Sequence, residues 1–162
     1  MTLVKNGAVI DDPWLRIDDD ALLPLEGPII LSVNRWREEQ AELARRDTPL
    51  GLWLSSDDSL EKVGDALEVV DLIALAFPAF TDGRPYSTAR LLRERYGFGG
   101  ELRAVGQILR DQAQFMLRCG FDSFELAQDA NVEDWLAGLS EIAVHYQSAT
   151  DRRLSAAELR HQ

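Results

Sequence analysis

From Pro28 onward the chain alternates two periodicities. The short apolar runs PIILSVN (28–34), PLGLWLS (49–55), DLIALAF (71–77), ELRAVG (101–106) and FDSFELA (121–127) have the length and flanks of β-strands. After them come REEQAELARRD, SLEKVGDALEVV, STARLLRERYG, GQILRDQAQFMLRCG and NVEDWLAGLSEIAVHYQ, where apolar residues recur at three and four positions, the spacing of a buried helix face. Successive strand–helix units lie about 20 to 30 residues apart, enough for a helical crossover between parallel strands. The pattern predicts an α/β fold with a mostly parallel sheet built from five successive strand–helix units. Two closures fit it: an open doubly wound sheet, or an incomplete barrel whose open edge is covered by the N-terminal hairpin or a second subunit. The barrel-like arrangement is the one expected.

Ahead of these units, Asn6-Gly7 between apolar residues predicts a hairpin of Leu3–Lys5 and Ala8–Ile10, with Trp14–Ile17 as a further strand. Asp18, Asp19 and Asp20 read as a solvated loop, because an extended chain points neighbouring side chains apart. Ser59 and Asn131 stand where helix N-caps are expected, and Gly97 and Gly120 where left-handed residues end helices. Ile108, Leu109, Ala113, Phe115, Met116 and Cys119 should form one buried helix face, which makes Cys119 a structural thiol. The chain reads as a single domain: hairpin and acidic loop over 1–27, strand–helix units over 28–147, and a tail over 148–162.

Composition narrows the function. With 46% hydrophobic and 28% charged residues, and no apolar run near a membrane span, the chain is expected to be cytoplasmic with no membrane partner. One cysteine and two histidines leave no internal disulfide and little material for a metal site or a Ser-His-Asp triad, so no metal is expected. A formal charge of −11 argues against nucleic acid as a partner and is read first as a source of solubility.

The charge is also segregated. Residues 82–118 carry Arg84, Arg90, Arg93, Arg95, Arg103, Arg110 and Arg118 against Asp82, Glu94, Glu101 and Asp111, a local excess of seven minus four. Thr81-Asp82-Gly83-Arg84 follows the third apolar run and leads into a helix expected to start near Tyr86-Ser87. Free amides at that helix start, the Thr81 or Ser87 hydroxyl, the Gly83 turn and the Arg84 fork would suit an oxyanion. Arg103 on the next strand turns either into the same cleft or out to solvent. The competing reading makes Asp82 a cap or a local partner of Arg84, with Arg93 and Arg95 on the surface. Glu101 is the candidate catalytic base, and Arg103 is available to pair with it. No dinucleotide fingerprint, Walker loop or nucleophile elbow is present.

The run FPAFTDGRPYSTARLLRERYGFGGELRAVGQILRDQAQFMLRCGFDSFEL, followed by YQ, resembles the bacterial domain-of-unknown-function family nine-three-four, specifically over about residues 72–147. Matched positions include Asp82, Gly83, Arg84, Ser87, Arg93, Gly100, Glu101, Arg103, Gly106 and Asp122, while Gln107 stands where an acidic residue is usual. Members are commonly described as oxidoreductases involved in sulfite reduction. The resemblance implies an accessory protein of assimilatory sulfate and sulfite reduction, binding a sulfur oxyanion or a sulfite or adenylyl-sulfate reductase through the arginine-rich segment. Alternatives are an oxidoreductase with a borrowed cofactor such as a flavin, and a structural subunit with a basic homodimer interface. No cofactor motif singles out a cofactor, whose identity stays unknown at this point.

Overall fold

In the computed structural model, which describes residues 1–140 and Ala149, one sheet of eight strands carries the fold. The strands are β1 (Thr2–Lys5), β2 (Ala8–Ile10), β3 (Leu15–Arg16), β4 (Ile29–Ser32), β5 (Leu50–Leu54), β6 (Leu72–Phe77), β7 (Glu101–Gly106) and β8 (Ser123–Leu126). Helices α1 (Val33–Leu43), α2 (Arg84–Glu94), α3 (Ala113–Cys119) and α4 (Val132–Ser140) follow β4, β6, β7 and β8, and a 3-10 helix (Leu60–Glu68) follows β5. The strands lie in the order β2-β1-β8-β7-β6-β5-β4-β3. All neighbours from β3 to β8 are parallel, and the β1–β2 hairpin adds antiparallel to β8.

Crossovers of one hand between sequential parallel neighbours send every helix to the same side. Alternation along the strands sorts the side chains accordingly. Ile29, Leu31, Leu52, Ile73, Leu75, Leu102, Ala104 and Phe124 form one continuous core with Trp36, Val63, Leu92, Met116 and Trp135 from the helices. On the other face, Ile30, Leu72, Ala74 and Val105 form a small separate cluster against Trp14 and Trp53. A doubly wound sheet would carry helices on both faces and reverse its strand order, so the incomplete-barrel alternative is the one realised, with the hairpin extending one edge.

The shortest link shows how far the sheet curls. β2 and β3 are opposite edges, yet only residues 11–14 join them. Eight strands laid flat would separate those edges by roughly 33 Å, whereas the chain from Ile10 to Leu15 reaches about 17 Å at most. The sheet therefore bends into a half-barrel, and residues 11–14 cross its helix-free concave face as a strap. Gly51 marks the crossing: a Cβ there would sit 3.3 Å from Trp14 Cζ3 and 3.1 Å from Ile30 Cγ1.

Several sequence expectations are refined. The hairpin turn carries positive φ at Asn6 and Gly7, and the Ser59 and Asn131 side chains cap as expected. Gly97 and Gly120 also adopt positive φ. The 60–68 segment winds as a 3-10 helix, and α2 begins at Arg84, not near Tyr86, because Pro85 suits a first turn. The face expected to be buried along 108–119 is only partly so: Ala113, Met116 and Cys119 are buried, but Leu109 is 44% and Phe115 55% exposed. Leu109 is exposed because the chain stays non-helical there and passes through a short 3-10 turn before α3, and Phe115 because it lies off the α3 face that Ala113, Met116 and Cys119 share. The end of NVEDWLAGLSEIAVHYQ and, apart from Ala149, the 148–162 tail lie outside the described residues.

Candidate functional site

On β7 the alternation that sends Leu102 and Ala104 to the helices puts Glu101 and Arg103 on the concave face. Glu101 collects three donors: Lys5 Nζ at 2.6 Å, Ser123 Oγ at 2.6 Å and Arg103 Nε at 3.1 Å. Burial alone would raise its carboxyl, but the Lys5 and Ser123 hydrogen bonds and the Arg103 charge outweigh it and hold the group below the ordinary glutamate value. Arg103 is 1% exposed. Its Nη1 donates to Asp12 Oδ2 at 2.7 Å, and the other Asp12 oxygen accepts the Trp14 amide at 3.1 Å, so one carboxylate ties the strap to the buried guanidinium. Arg103 Nη2 lies 3.0 Å from Glu101 Oε1 but off the line that a hydrogen bond requires, and it has no hydrogen-bond acceptor.

Beside this cluster lies a cavity of about 280 Å³, bounded by Asp12, Trp14, Arg16, Trp53, Arg103 and Glu125. It exists because β5 and β6 contribute small inward residues, Gly51, Ala74 and Ala76, where Val or Leu would fill the space. The Arg16 guanidinium lies 3.5 Å over the Trp53 ring, and a smaller recess of about 140 Å³ continues past that pair to Ser32 and Asp18. Lys5 and Arg103 pair with Glu101 and Asp12, and Met1, Arg16 and Glu125 line the same cavity.

The other site residues expected from sequence lie at the rim where β6 ends. Thr81, Gly83 and Ser87 are exposed, and Asp82 accepts from the Arg84 amide and side chain. Those Arg84 bonds hold the Asp82 carboxyl well below the usual range, and the Arg84 guanidinium is raised in turn by Asp82 and by its further pairing with Asp57. Arg84 and Arg103 share no ion-pair partner among the described residues: Arg84 pairs with Asp82 and Asp57, and Arg103 with Asp12 and Glu101. The arginine excess is largely met by carboxylates: Arg90 pairs with Glu94, Arg93 with Asp122, Arg103 with Asp12 and Arg110 with Asp134. Arg95 is exposed as expected, but Arg93 is not a free surface residue. It donates to the carbonyls of Gly120, Phe98 and Gly100 and to Asp122, locking α2 to the ends of β7 and β8. Cys119 is buried, and burial pushes its thiol up to about 11.

A family model described as bacterial protein of unknown function, DUF934, matches residues 51–157. The chain belongs to this family. No curated protein matches it. The DUF934 match holds Trp53, Glu101, Arg103 and Glu125, whereas Asp12, Trp14 and Arg16 precede it. Several positions that carried the resemblance have structural roles in this DUF934 chain. Arg93 and Asp122 form the clamp above, and a Cβ on Gly100 or Gly106 would meet a backbone oxygen at 2.6 or 2.5 Å. Among the described residues no helix is long and apolar enough to cross a membrane.

Sequence reasoning did not single out Asp12, Trp14, Arg16 or Trp53. Trp53 carried a usable signal, since in LGLWL it is out of phase with Leu50, Leu52 and Leu54 and so belongs to the opposite sheet face. The strap residues carried none, because their place depends on strand order.

Proposed function

We propose that this DUF934 protein is an accessory component of sulfite reduction that binds a small anion on Arg103, in the cavity beneath the strap. The observation that carries the reading is Nη2 of Arg103, buried without a hydrogen-bond acceptor on a residue that lines a cavity. Arg103 is already paired with Asp12 and Glu101, so an anion enters most readily by taking the place of the Asp12 carboxylate, whose side chain is one-third exposed. Its departure leaves one positive charge in excess beside a planar fork that suits sulfur oxyanions. The link to sulfite rests on the family resemblance. Glu101, ionised and already accepting three hydrogen bonds, is a weak proton acceptor, which favours binding over turnover.

Thermal unfolding with sulfite, sulfate, phosphate and adenylyl sulfate at constant ionic strength tests the proposal. A ligand at a hundred times its Kd stabilises by about 2.7 kcal/mol, a shift of several degrees for a chain of this size. A shift with a sulfur oxyanion is expected, lost in Arg103→Lys and kept in Arg84→Ala. No shift with any of these anions would refute anion binding and leave capture of a sulfite or adenylyl-sulfate reductase as the experiment for the partner reading.

A further inference from the structure

We infer that the anion held by Arg103 is carried on a flat aromatic ring. This rests on the anion-binding reading above and names the class of ligand. A volume of about 280 Å³ equals that of about nine waters in the liquid, and an inorganic oxyanion fills a minor part of it. Apart from Arg16 and Glu125, the remaining walls are apolar: the Trp14 and Trp53 rings with Met1, Ile30, Ala74 and Val105. Pockets of this size lined by aromatic and aliphatic groups, with a few placed polar atoms, take small organic ligands, and a bare oxyanion would leave these walls against water. The Arg16 guanidinium lies 3.5 Å over the Trp53 ring, so a flat group already packs on this indole, and a ligand ring takes that place by displacing Arg16. The small residues Gly51 and Ala74 keep that side of the sheet shallow. The acidic group then occupies the Asp12 position on Arg103, and the ring lies along Trp14 and Trp53.

Calorimetric titration of the full chain with sulfate, methanesulfonate, benzenesulfonate and neutral benzenesulfonamide separates the two contributions, with tryptophan fluorescence as a second readout. Of the four tryptophans, Trp36 and Trp135 are buried in the helix-side core, so a spectral change reports on the cavity pair. Benzenesulfonate should bind at least about tenfold tighter than methanesulfonate, which is about 1.4 kcal/mol. The sulfonamide should bind at least about tenfold more weakly than benzenesulfonate. Trp53→Ala should abolish the preference for the ring while leaving methanesulfonate affinity unchanged. Equal affinity for the two sulfonates overturns the ring but leaves the anion site standing. Equal affinity for sulfonate and sulfonamide overturns the requirement for charge. Binding by none of the anions overturns both this inference and the reading beneath it.

Discussion

Asp12→Asn should weaken the protein and tighten its hold on an anion, by similar amounts. The Asp12 carboxylate accepts the Trp14 amide on one oxygen and Arg103 Nη1 on the other, at 3.1 and 2.7 Å. Asparagine offers a single acceptor oxygen, so one donor is left over and the bond to the guanidinium, where kept, loses the carboxylate's charge and with it the ion pair. A hydrogen bond to a charged group contributes about 1.5–3 kcal/mol and a neutral one about 0.5–1.5. With the Asp12 side chain 33% exposed, water recovers part of the loss. A net cost of about 1–2 kcal/mol follows, and for a chain of this length that lowers Tm by roughly 2–8 °C. An anion entering the wild-type site must displace this same carboxylate, so removing it should raise affinity by about 5- to 30-fold. Thermal unfolding of the free variant, followed by titration with sulfate and benzenesulfonate, measures both quantities. A lower Tm with unchanged or weaker anion affinity would refute exchange at the Asp12 position. An unchanged Tm would refute the claim that this carboxylate pins the strap.

Arg93→Ala should cost about 2 kcal/mol or more in urea unfolding, because it takes the donor from three carbonyls and leaves the partly exposed Asp122 carboxylate with only the Leu102 amide, whereas exposed Arg95→Ala should stay within about 0.5. Equal costs would dispose of the clamp. Gly51→Ala places a methyl 3.1–3.3 Å from Ile30, Leu72 and Trp14, and should destabilise by about 1–3 kcal/mol with an altered near-ultraviolet signal from the displaced indole; an unchanged spectrum would contradict the strap's path. The Glu101 carboxyl is held below its unfolded value, so the folded state binds that proton less tightly than the unfolded chain. Its stabilisation is present above the unfolded value of about 4.5 and is lost as pH falls through the folded one. Stability measured from neutral to acid pH should therefore fall less steeply in Glu101→Gln than in the wild type, and parallel curves would refute the assignment.

Local chemistry alone determined a good deal of this protein. The short apolar runs and the amphipathic stretches between them sufficed for the parallel sheet and the crossover helices. Asn6-Gly7 sufficed for the hairpin, since both turn positions need positive φ. Ser59 and Asn131 act as caps because the bond is made within three residues. The pairing of Glu101 with Arg103 was also legible from their spacing on one strand. What stayed hidden depends on contacts between residues far apart in the chain. Arg93 reads as a surface residue on its helix until β8 brings Asp122 and the Gly120 carbonyl to it across 27 to 29 positions. Arg84 and Arg103 look like halves of one site until the fold gives each its own carboxylates. The strap is the extreme case. Four ordinary-looking residues cross the concave face only because β1 pairs with β8 and β3 with β4, placing β2 and β3 on opposite edges and forcing the sheet to curl. Side-chain periodicity is set within a few residues, whereas strand order is set by which edges meet, and only the assembled sheet brings Asp12 to Arg103.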